Sequence, residues 1–380
     1  VTPSRGLAPD LVVLSQVPPP VHGQTLMTKR TLDLLARDGW MLRLVDRRFS
    51  RSIDEVGAPG VRKMLAAVGL AARLGGQVIR RRPDAVLLFA TTRTASFCVD
   101  VVLVRLLRAV RVPVVLTIHS VGFRRIAARS AVGAAAVRSL LGAAEAVVCL
   151  GPTLTADVRP FVRTDRVRVI RNTPAEVPPV SVAERQVQGR RTVLWLSNLM
   201  PGKGAETFAH VAADLADHDV DFRMVGPVAD DATAAAVRSI VAGSAVRSRF
   251  HLDGPAYGAA KWEAVRGATV LAFTSELDEA QPLTIVEAMA CGTPVVAFDR
   301  GGIADLVEHG VTGFLAEPGD TAAFAAHLRQ ILDDPGLAAR LRRGALDAYA
   351  ARHAPDTHVQ AWRDLFDHPR TTSTISRRTR

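Results

Sequence analysis

Two carboxylates, Glu279 and Glu287, frame the densest chemical signal in this 380-residue chain. The segment reads Ser275-Glu276-Leu277-Asp278-Glu279-Ala280-Gln281-Pro282-Leu283-Thr284-Ile285-Val286-Glu287-Ala288-Met289-Ala290-Cys291-Gly292-Thr293-Pro294, with Gly301-Gly302 a little further on. Asp278 and Glu279 belong to a loop after an apolar strand. Pro282 suits the first turn of the helix that follows, and Gly292 ends it. The free amides at Leu283 and Thr284 would bind a diphosphate, helped by the positive end of the helix dipole. A carboxylate beside such a site repels phosphate but accepts hydrogen bonds from sugar hydroxyls.

A second signal is Val193-Leu194-Trp195-Leu196-Ser197-Asn198-Leu199-Met200-Pro201-Gly202-Lys203-Gly204, a strand running into a glycine-bearing turn with one lysine and then a helix near Ala205. That layout delivers an ammonium to a phosphate at a helix start. It is not a P-loop, because G-x(4)-G-K-[ST] is nowhere in the chain.

Together these segments resemble the family 4 retaining glycosyltransferases, also known as glycosyl transferases group 1. Their hallmark is Glu-x(7)-Glu followed by Ala-Met-Ala-x-Gly-x-Pro-Val and Gly-Gly, and their lysine stands in Arg/Asn-Leu-x(3)-Lys-Gly. The resemblance implies that Glu279 contacts hydroxyls of the transferred sugar, Glu287 the ribose of the nucleotide, and Lys203 the leaving diphosphate. It places Gly23, in Pro18-Pro19-Pro20-Val21-His22-Gly23-Gln24, over the donor, and turns His119, at the end of Val114 to Ile118, toward the transferred sugar. Val225-Gly226-Pro227 takes the place of a nucleotide-side loop, and Gly254-Pro255 would offer backbone to the base.

The expected catalytic set is thus His119, Lys203 and Glu279. The donor-binding set is Gly23, Asn198, Gly226, Gln281, Pro282, Leu283, Thr284 and Glu287, with no metal ligand and no cofactor beyond the nucleoside diphosphate sugar, which is substrate. This chain departs from the family pattern at four places. Asn198 stands where many members have arginine, Gln281-Pro282 where many have Phe-Gly, Asp305 where Glu is usual, and His22 where a second glycine is common.

The elements that must position these residues follow from hydrophobic patterning. Short Val/Leu/Ile-rich runs recur at residues 11–15, 41–45, 85–89, 112–118, 146–150 and 167–170, each followed by a helical Ala/Leu/Arg stretch. The alternation stops at a proline-rich segment and resumes at 192–197, 221–225, 249–252, 269–273, 293–297 and 313–315. This is the pattern of parallel sheets covered by helices on both faces. The expected class is α/β of the GT-B type, two Rossmann-like doubly wound domains facing each other across a cleft. The expected limits are an acceptor-side domain at 1–178, a linker at 179–191, a nucleotide-sugar domain at 192–350, a helix at 351–368 returning to the first domain, and a disordered basic tail at 369–380.

Composition narrows the function classes. At 48% hydrophobic and 22% charged the chain is too apolar for a disordered protein. Cys98, Cys149 and Cys291 form no C-x-x-C pair, which argues against zinc ribbons and a disulfide scaffold and for a reducing compartment. No apolar run reaches the roughly 18 residues of a membrane span, and Val1 to Asp10 lack the layout of a signal peptide. The expectation is a cytoplasmic protein. Residues 1–180 hold 27 Lys or Arg against 12 Asp or Glu, whereas 181–369 hold 17 against 25. Such asymmetry suits an anionic partner on one side, a membrane surface at the inner face of the plasma membrane before nucleic acid, because no helix-turn-helix, zinc finger or RNA-binding signature is present. Between Pro59-Gly60 and Pro83, Met64, Leu65, Val68, Ala71, Ala72, Val78 and Ile79 recur at helical spacing with Arg62, Lys63, Arg73, Arg80, Arg81 and Arg82 elsewhere on the wheel, a basic amphipathic helix.

By resemblance the reaction moves a sugar from a nucleoside diphosphate to a glycan or lipid-linked acceptor with retention and without metal, in cell-envelope or exopolysaccharide synthesis. The departing phosphate oxygen would take the acceptor's proton on the same face. A sugar phosphorylase or nucleotide-sugar epimerase on the same fold, and a catalytically silent nucleotide-sugar binder, remain alternatives.

Overall fold

The computed structural model describes residues 8–19, 23–47, 61–92, 94–174, 177 and 190–367. The chain forms two compact units, one of residues 1–173 with 355–380 and one of residues 174–354. The first contains strands β1 (Asp10–Ser15), β2 (Met41–Asp46), β3 (Ala85–Ala90), β4 (Val114–Ile118), β5 (Ala146–Cys149) and β6 (Val167–Val169). Its helices are α1 (Gly23–Arg37), α2 (Val61–Arg80), α3 (Thr94–Ala109), α4 (Phe123–Arg129), α5 (Ala131–Gly142) and α6 (Pro152–Val158). The second contains β7 (Thr192–Leu196), β8 (Asp221–Val225), β9 (Phe250–Gly254), β10 (Val270–Phe273), β11 (Val295–Phe298) and β12 (Gly313–Ala316). Its helices are α7 (Ala205–Asp214), α8 (Asp231–Ala242), α9 (Gly258–Gly267), α10 (Leu283–Ala290), α11 (Thr321–Asp333) and α12 (Pro335–Arg352), and α13 (Pro355–Asp367) closes the described chain.

Both sheets have six strands, in the orders β2-β1-β3-β4-β5-β6 and β12-β11-β10-β7-β8-β9, and every pairing is parallel. The runs that are apolar throughout, such as Leu11 to Leu14 and Val270 to Phe273, are buried on both faces, as central parallel strands require. Right-handed crossovers send α1 to one face of the first sheet and α2 to α5 to the other, because the chain reverses direction across the sheet after β2. Each order has one point where the chain's progress reverses, between β1 and β3 in the first sheet and between β7 and β10 in the second. Ligands of doubly wound sheets bind beyond the strand carboxyl ends at such points.

Two sequence boundaries move. The units divide between Thr173 and Pro174, earlier than the expected residue 178, since Asn172 and Thr173 are buried with the first unit and Val177 packs on the second core. The helix expected to begin at 351 begins at Pro355, because α12 runs on to Arg352 within the second unit. That helix, α13, packs on the first core: Trp362, Leu365 and Phe366 are buried with Leu11, Leu35 and Trp40, and Arg363 pairs with Asp38. Most of the expected linker and all of the basic tail lie outside the described residues. Among its described side chains, α2 is apolar on two faces. Leu70, Leu74 and Val78 are its buried residues, while Leu65, Val68 and Ile79 lie 67%, 68% and 85% exposed.

Candidate active site

The switch point of the second sheet brings together the turn after β7 and the loop after β10. Gly202 and Gly204 in that turn have φ of 81° and 72°, which glycine adopts without strain. A Cβ on Gly204 would stand 1.8 Å from the carbonyl oxygen of Thr274. The two segments are sewn together: the Thr274 hydroxyl donates to the Gly204 carbonyl at 2.6 Å and accepts from the Trp195 indole at 3.1 Å. The Glu276 amide donates to Gly202 at 2.9 Å, and the Thr207 hydroxyl to the Glu276 carboxylate at 2.8 Å.

This stitching sets Lys203 Nζ 2.6 Å from Glu279 Oε1, which also accepts from the Ser275 hydroxyl at 3.0 Å. Both side chains remain partly open to solvent. Gly301-Gly302 fix the backbone beneath them. The Gly302 amide donates to the Glu279 carbonyl at 2.7 Å, and a Cβ on Gly301 would lie 2.3 Å from that same oxygen.

Next along the chain, Gln281 is buried and Leu283 and Thr284 are partly exposed at the first two positions of α10. Pro282 is the N-cap of that helix and not its first helical residue. Its ψ of 123° is extended, and its carbonyl accepts from the Ile285 amide. The amides of Leu283 and Thr284 precede the first residue able to find an acceptor within the helix, so they stand available to an anion. One turn on, Glu287 is buried among Ile285, Val286 and Ala288 and accepts from Lys261 of α9 through Oε1. Burial pushes the Glu287 carboxyl up and the Lys261 ammonium draws it back. Lys261 was not among the expected residues. Nothing in the sequence links α9 to α10 at that position.

Asn198 and Gly226 lie at the carboxyl ends of β7 and β8. Asn198 is exposed, while Gly226 packs so tightly that a Cβ would meet the Ser197 carbonyl oxygen at 1.6 Å, and its amide donates to Gly254 at 2.8 Å. The second unit thus gathers Lys203, Glu279, Asn198, Gly226, Gln281, Pro282, Leu283, Thr284 and Glu287 along the strand carboxyl edge.

Gly23 and His119 belong to the first unit. Gly23 opens α1 after β1, and apart from its chain neighbours and its own helix backbone no atom of the described residues comes within 4 Å of where its Cβ would be. His119 directly follows β4 and lies beside Phe89, with ring centroids 5.2 Å apart. Burial, with a smaller contribution from His358, pushes its imidazole down to about 4, so it is neutral at pH 7. The loop after it is anchored by Asp157 of α6, whose carboxylate accepts from the amides of Gly122, Phe123 and Arg124 at 2.8 to 2.9 Å. Behind it, His358 of α13 is fixed in one tautomer. The Trp362 indole can only donate, so His358 Nε2, 3.1 Å away, accepts, and Nδ1 must donate to the Arg171 carbonyl at 2.8 Å. His119, His358, Thr31, Thr117 and Asn172 line a small internal cavity of about 10 Å³, room for one water.

Comparison with known proteins bears on the family and the fold. Residues 190–334 match the model of the family described as glycosyl transferases group 1. A D-inositol 3-phosphate glycosyltransferase of Acidothermus cellulolyticus is 34% identical over 194 residues, 48% of this chain and 43% of that protein. A 2-deoxystreptamine N-acetyl-D-glucosaminyltransferase of Niallia circulans is 28% identical over 195 residues, 50% of this chain and 49% of that one. The aligned stretches cover about half or less of these relatives' length. Among solved structures, sucrose-phosphate synthase of Thermosynechococcus elongatus superposes with a TM-score of 0.73 at 20% identity, covering 94% of this chain and 99% of that one. Anabaena HepE in complex with UDP superposes with a TM-score of 0.71 at 21% identity, with the same coverage. These likenesses identify the fold as GT-B.

Proposed function

With residues 190–334 carrying a glycosyl transferases group 1 domain, we propose that the chain is a family 4 retaining glycosyltransferase that moves a sugar from a nucleoside diphosphate to a glycan or lipid-linked acceptor without a metal. The observation that carries this reading is the Lys203–Glu279 pair at the switch point of the second sheet, with the first turn of α10 and Glu287 beside it. HepE, solved with UDP and with UDP-glucose, makes UDP-sugars the first donors to try.

Negative charge develops on the leaving diphosphate as the bond from the anomeric carbon to the phosphate oxygen breaks. Lys203, the amides of Leu283 and Thr284 and the α10 dipole stabilise that charge, and being fixed beforehand they need little reorganisation. Glu279, released from Lys203 as the diphosphate takes the ammonium, accepts hydrogen bonds from sugar hydroxyls, and Glu287 does so from the ribose. The neutral His119 faces the transferred sugar as a hydrogen-bonding group without adding charge. The departing phosphate oxygen takes the acceptor's proton.

The same reading places the enzyme in the cytoplasm, held peripherally at the inner face of the membrane, in cell-envelope or exopolysaccharide synthesis. Among the described residues no helix is long and apolar enough to cross a membrane. The surface that supports docking is the outer side of α2 and α3. Leu65, Val68 and Ile79 on α2 face away from the core, and Val102 and Leu106 on α3 and Val110 just after it are each more than half exposed. Arg73, Arg80, Arg105, Arg108 and Arg111 accompany them. Apolar side chains directed outward among arginines suit an anionic bilayer better than water.

The deciding experiment follows nucleoside diphosphate release from UDP-, GDP- and ADP-sugars with and without a panel of sugar, polyol and polyprenyl-phosphate-linked acceptors. Release that depends on an acceptor supports the transferase. Exchange with inorganic phosphate would point to a phosphorylase, interconversion of the donor without release to an epimerase, and binding without turnover to a silent binder.

A further inference from the structure

Resting on the donor site proposed above, we infer that Lys261, outside every motif of that site, is its positioning residue: from α9 it holds the Glu287 carboxylate ionised and leaves one oxygen for the nucleotide's ribose. Glu287 is buried between apolar neighbours in the middle of α10, an environment that favours the uncharged acid. Lys261 Nζ donates to Oε1, and among the described residues no hydrogen bond is seen at Oε2. Trp262, the next residue, is buried in the same core as Ile285 and Val286, which fixes α9 against α10 and aims the lysine. The Lys261 side chain is about one-fifth exposed, so the pair is not sealed from solvent.

Among the described residues, the other elements packed on α10 bring no competing charge to this carboxylate. The strands β10 and β11 present Val270 to Phe273 and Val295 to Phe298, all buried and apolar. From α12, Arg342 lies against Gly292 beyond the far end of the helix. Cys291 contributes its backbone amide to the Glu287 carbonyl. Among the described residues, Lys261 is the charged group that pairs with Glu287. A protonated Glu287 would have lost acceptor strength toward the two ribose hydroxyls, so the lysine determines over what pH range the nucleotide is held.

The test is calorimetric titration of wild type, Lys261→Met and Lys261→Arg with UDP, GDP and ADP from about pH 6 to about pH 9. Wild type should bind one of them with affinity flat across this range. Lys261→Met should bind about tenfold or more weakly at the acid end, the scale of losing a hydrogen bond to a charged group, and recover as pH rises. Lys261→Arg should follow wild type. A Lys261→Met protein that matches wild type throughout, or is weakened equally at every pH without rescue by arginine, overturns the inference and leaves the donor site standing. If wild type binds none of the three, both fall together. Should Lys261→Met not fold, the comparison moves to Glu287→Gln with and without Lys261→Met. An unchanged Tm between those two supports the inference, because the lysine then has no charge to hold, and a lower Tm for the double variant overturns it.

Discussion

Lys203 and Glu279, 76 positions apart in sequence, are joined by an ion pair 2.6 Å long at the junction of β7 and β10. The cation assigned to the leaving diphosphate and the carboxylate assigned to the transferred sugar are therefore partners before any donor arrives. In the proposed reaction, a diphosphate that takes the ammonium would also free the carboxylate, so one binding event would ready both groups.

Removing the cation should cost rate more than stability. Lys203→Ala is expected to lower turnover by about 10² to 10³, the scale of losing one preorganised donor to developing charge. The pair is partly exposed, so its loss should cost no more than about 1 kcal/mol of stability. Steady-state kinetics and a thermal melt on one preparation check both, and near wild-type turnover would remove Lys203 from the site.

The two glutamates should fail differently. Glu287→Ala is expected to weaken binding of free nucleoside diphosphate, because its ribose partner is present in product and donor alike. Glu279→Ala should leave that affinity nearly intact and impair transfer, since its partner is the sugar. Equal loss of nucleotide affinity in both variants, measured by titration, would contradict the assignment.

Membrane docking is testable on α2 without disturbing the fold. Arg81 pairs with Asp10, and Arg82 donates to the carbonyls of Val110 and Arg111, so both also serve the structure. Leu65, Val68 and Ile79 point outward and Arg80 is exposed. Changing these four to Gln should lower co-sedimentation with anionic vesicles at low salt by more than tenfold, at about 1 kcal/mol per cation near the surface plus the lost apolar burial. Retained sedimentation would assign the basic half no membrane role on this face.

Acid should loosen the first unit through His358. Burial, more than the nearby Arg30 charge, holds its folded-state pKa at about 4 against 6.5 unfolded. The unfolded chain binds the proton more readily, so this contribution is fully present above about pH 6.5 and is lost as pH falls toward 4. It amounts to something on the order of 3 kcal/mol. Comparing wild type with His358→Gln by calorimetry at pH 7.5 and pH 4.5 isolates it: the stability gap between the two should narrow in acid. A gap that is equal at both pH values would show that His358 does not titrate in that window.

How much of this was legible in the sequence depended on how local each signal was. Runs such as Leu11 to Ser15 and Val295 to Ala297 announced central parallel strands, because burial on both faces leaves no polar alternation to misread. Lys203, Glu279 and Glu287 were recognisable because each sits in its own contiguous motif. That Lys203 and Glu279 pair depends on the strand order, which sets β10 beside β7. The Lys261 partnership depends on how α9 crosses α10, and no spacing within either helix encodes it. On α2 the helical period was visible, but the residues that face the core, Leu70, Leu74 and Val78, are told from the outward Leu65, Val68 and Ile79 only by the sheet beneath. Pro282 suits the first turn by sequence yet is the N-cap, since proline's fixed φ fits both positions.

The most direct measurement of the central claim is thermal unfolding of the purified chain with saturating UDP-, GDP- or ADP-sugar, alongside Glu287→Ala. At a hundred times its Kd a ligand of the folded state adds about 2.7 kcal/mol, which for a unit of this size raises Tm by roughly 5 to 10 °C. The account predicts such a rise with one of the three nucleotide classes in wild type, and its loss in Glu287→Ala. An unmoved Tm with all three, or an equal rise in the variant, would contradict a nucleotide-sugar site built on α10.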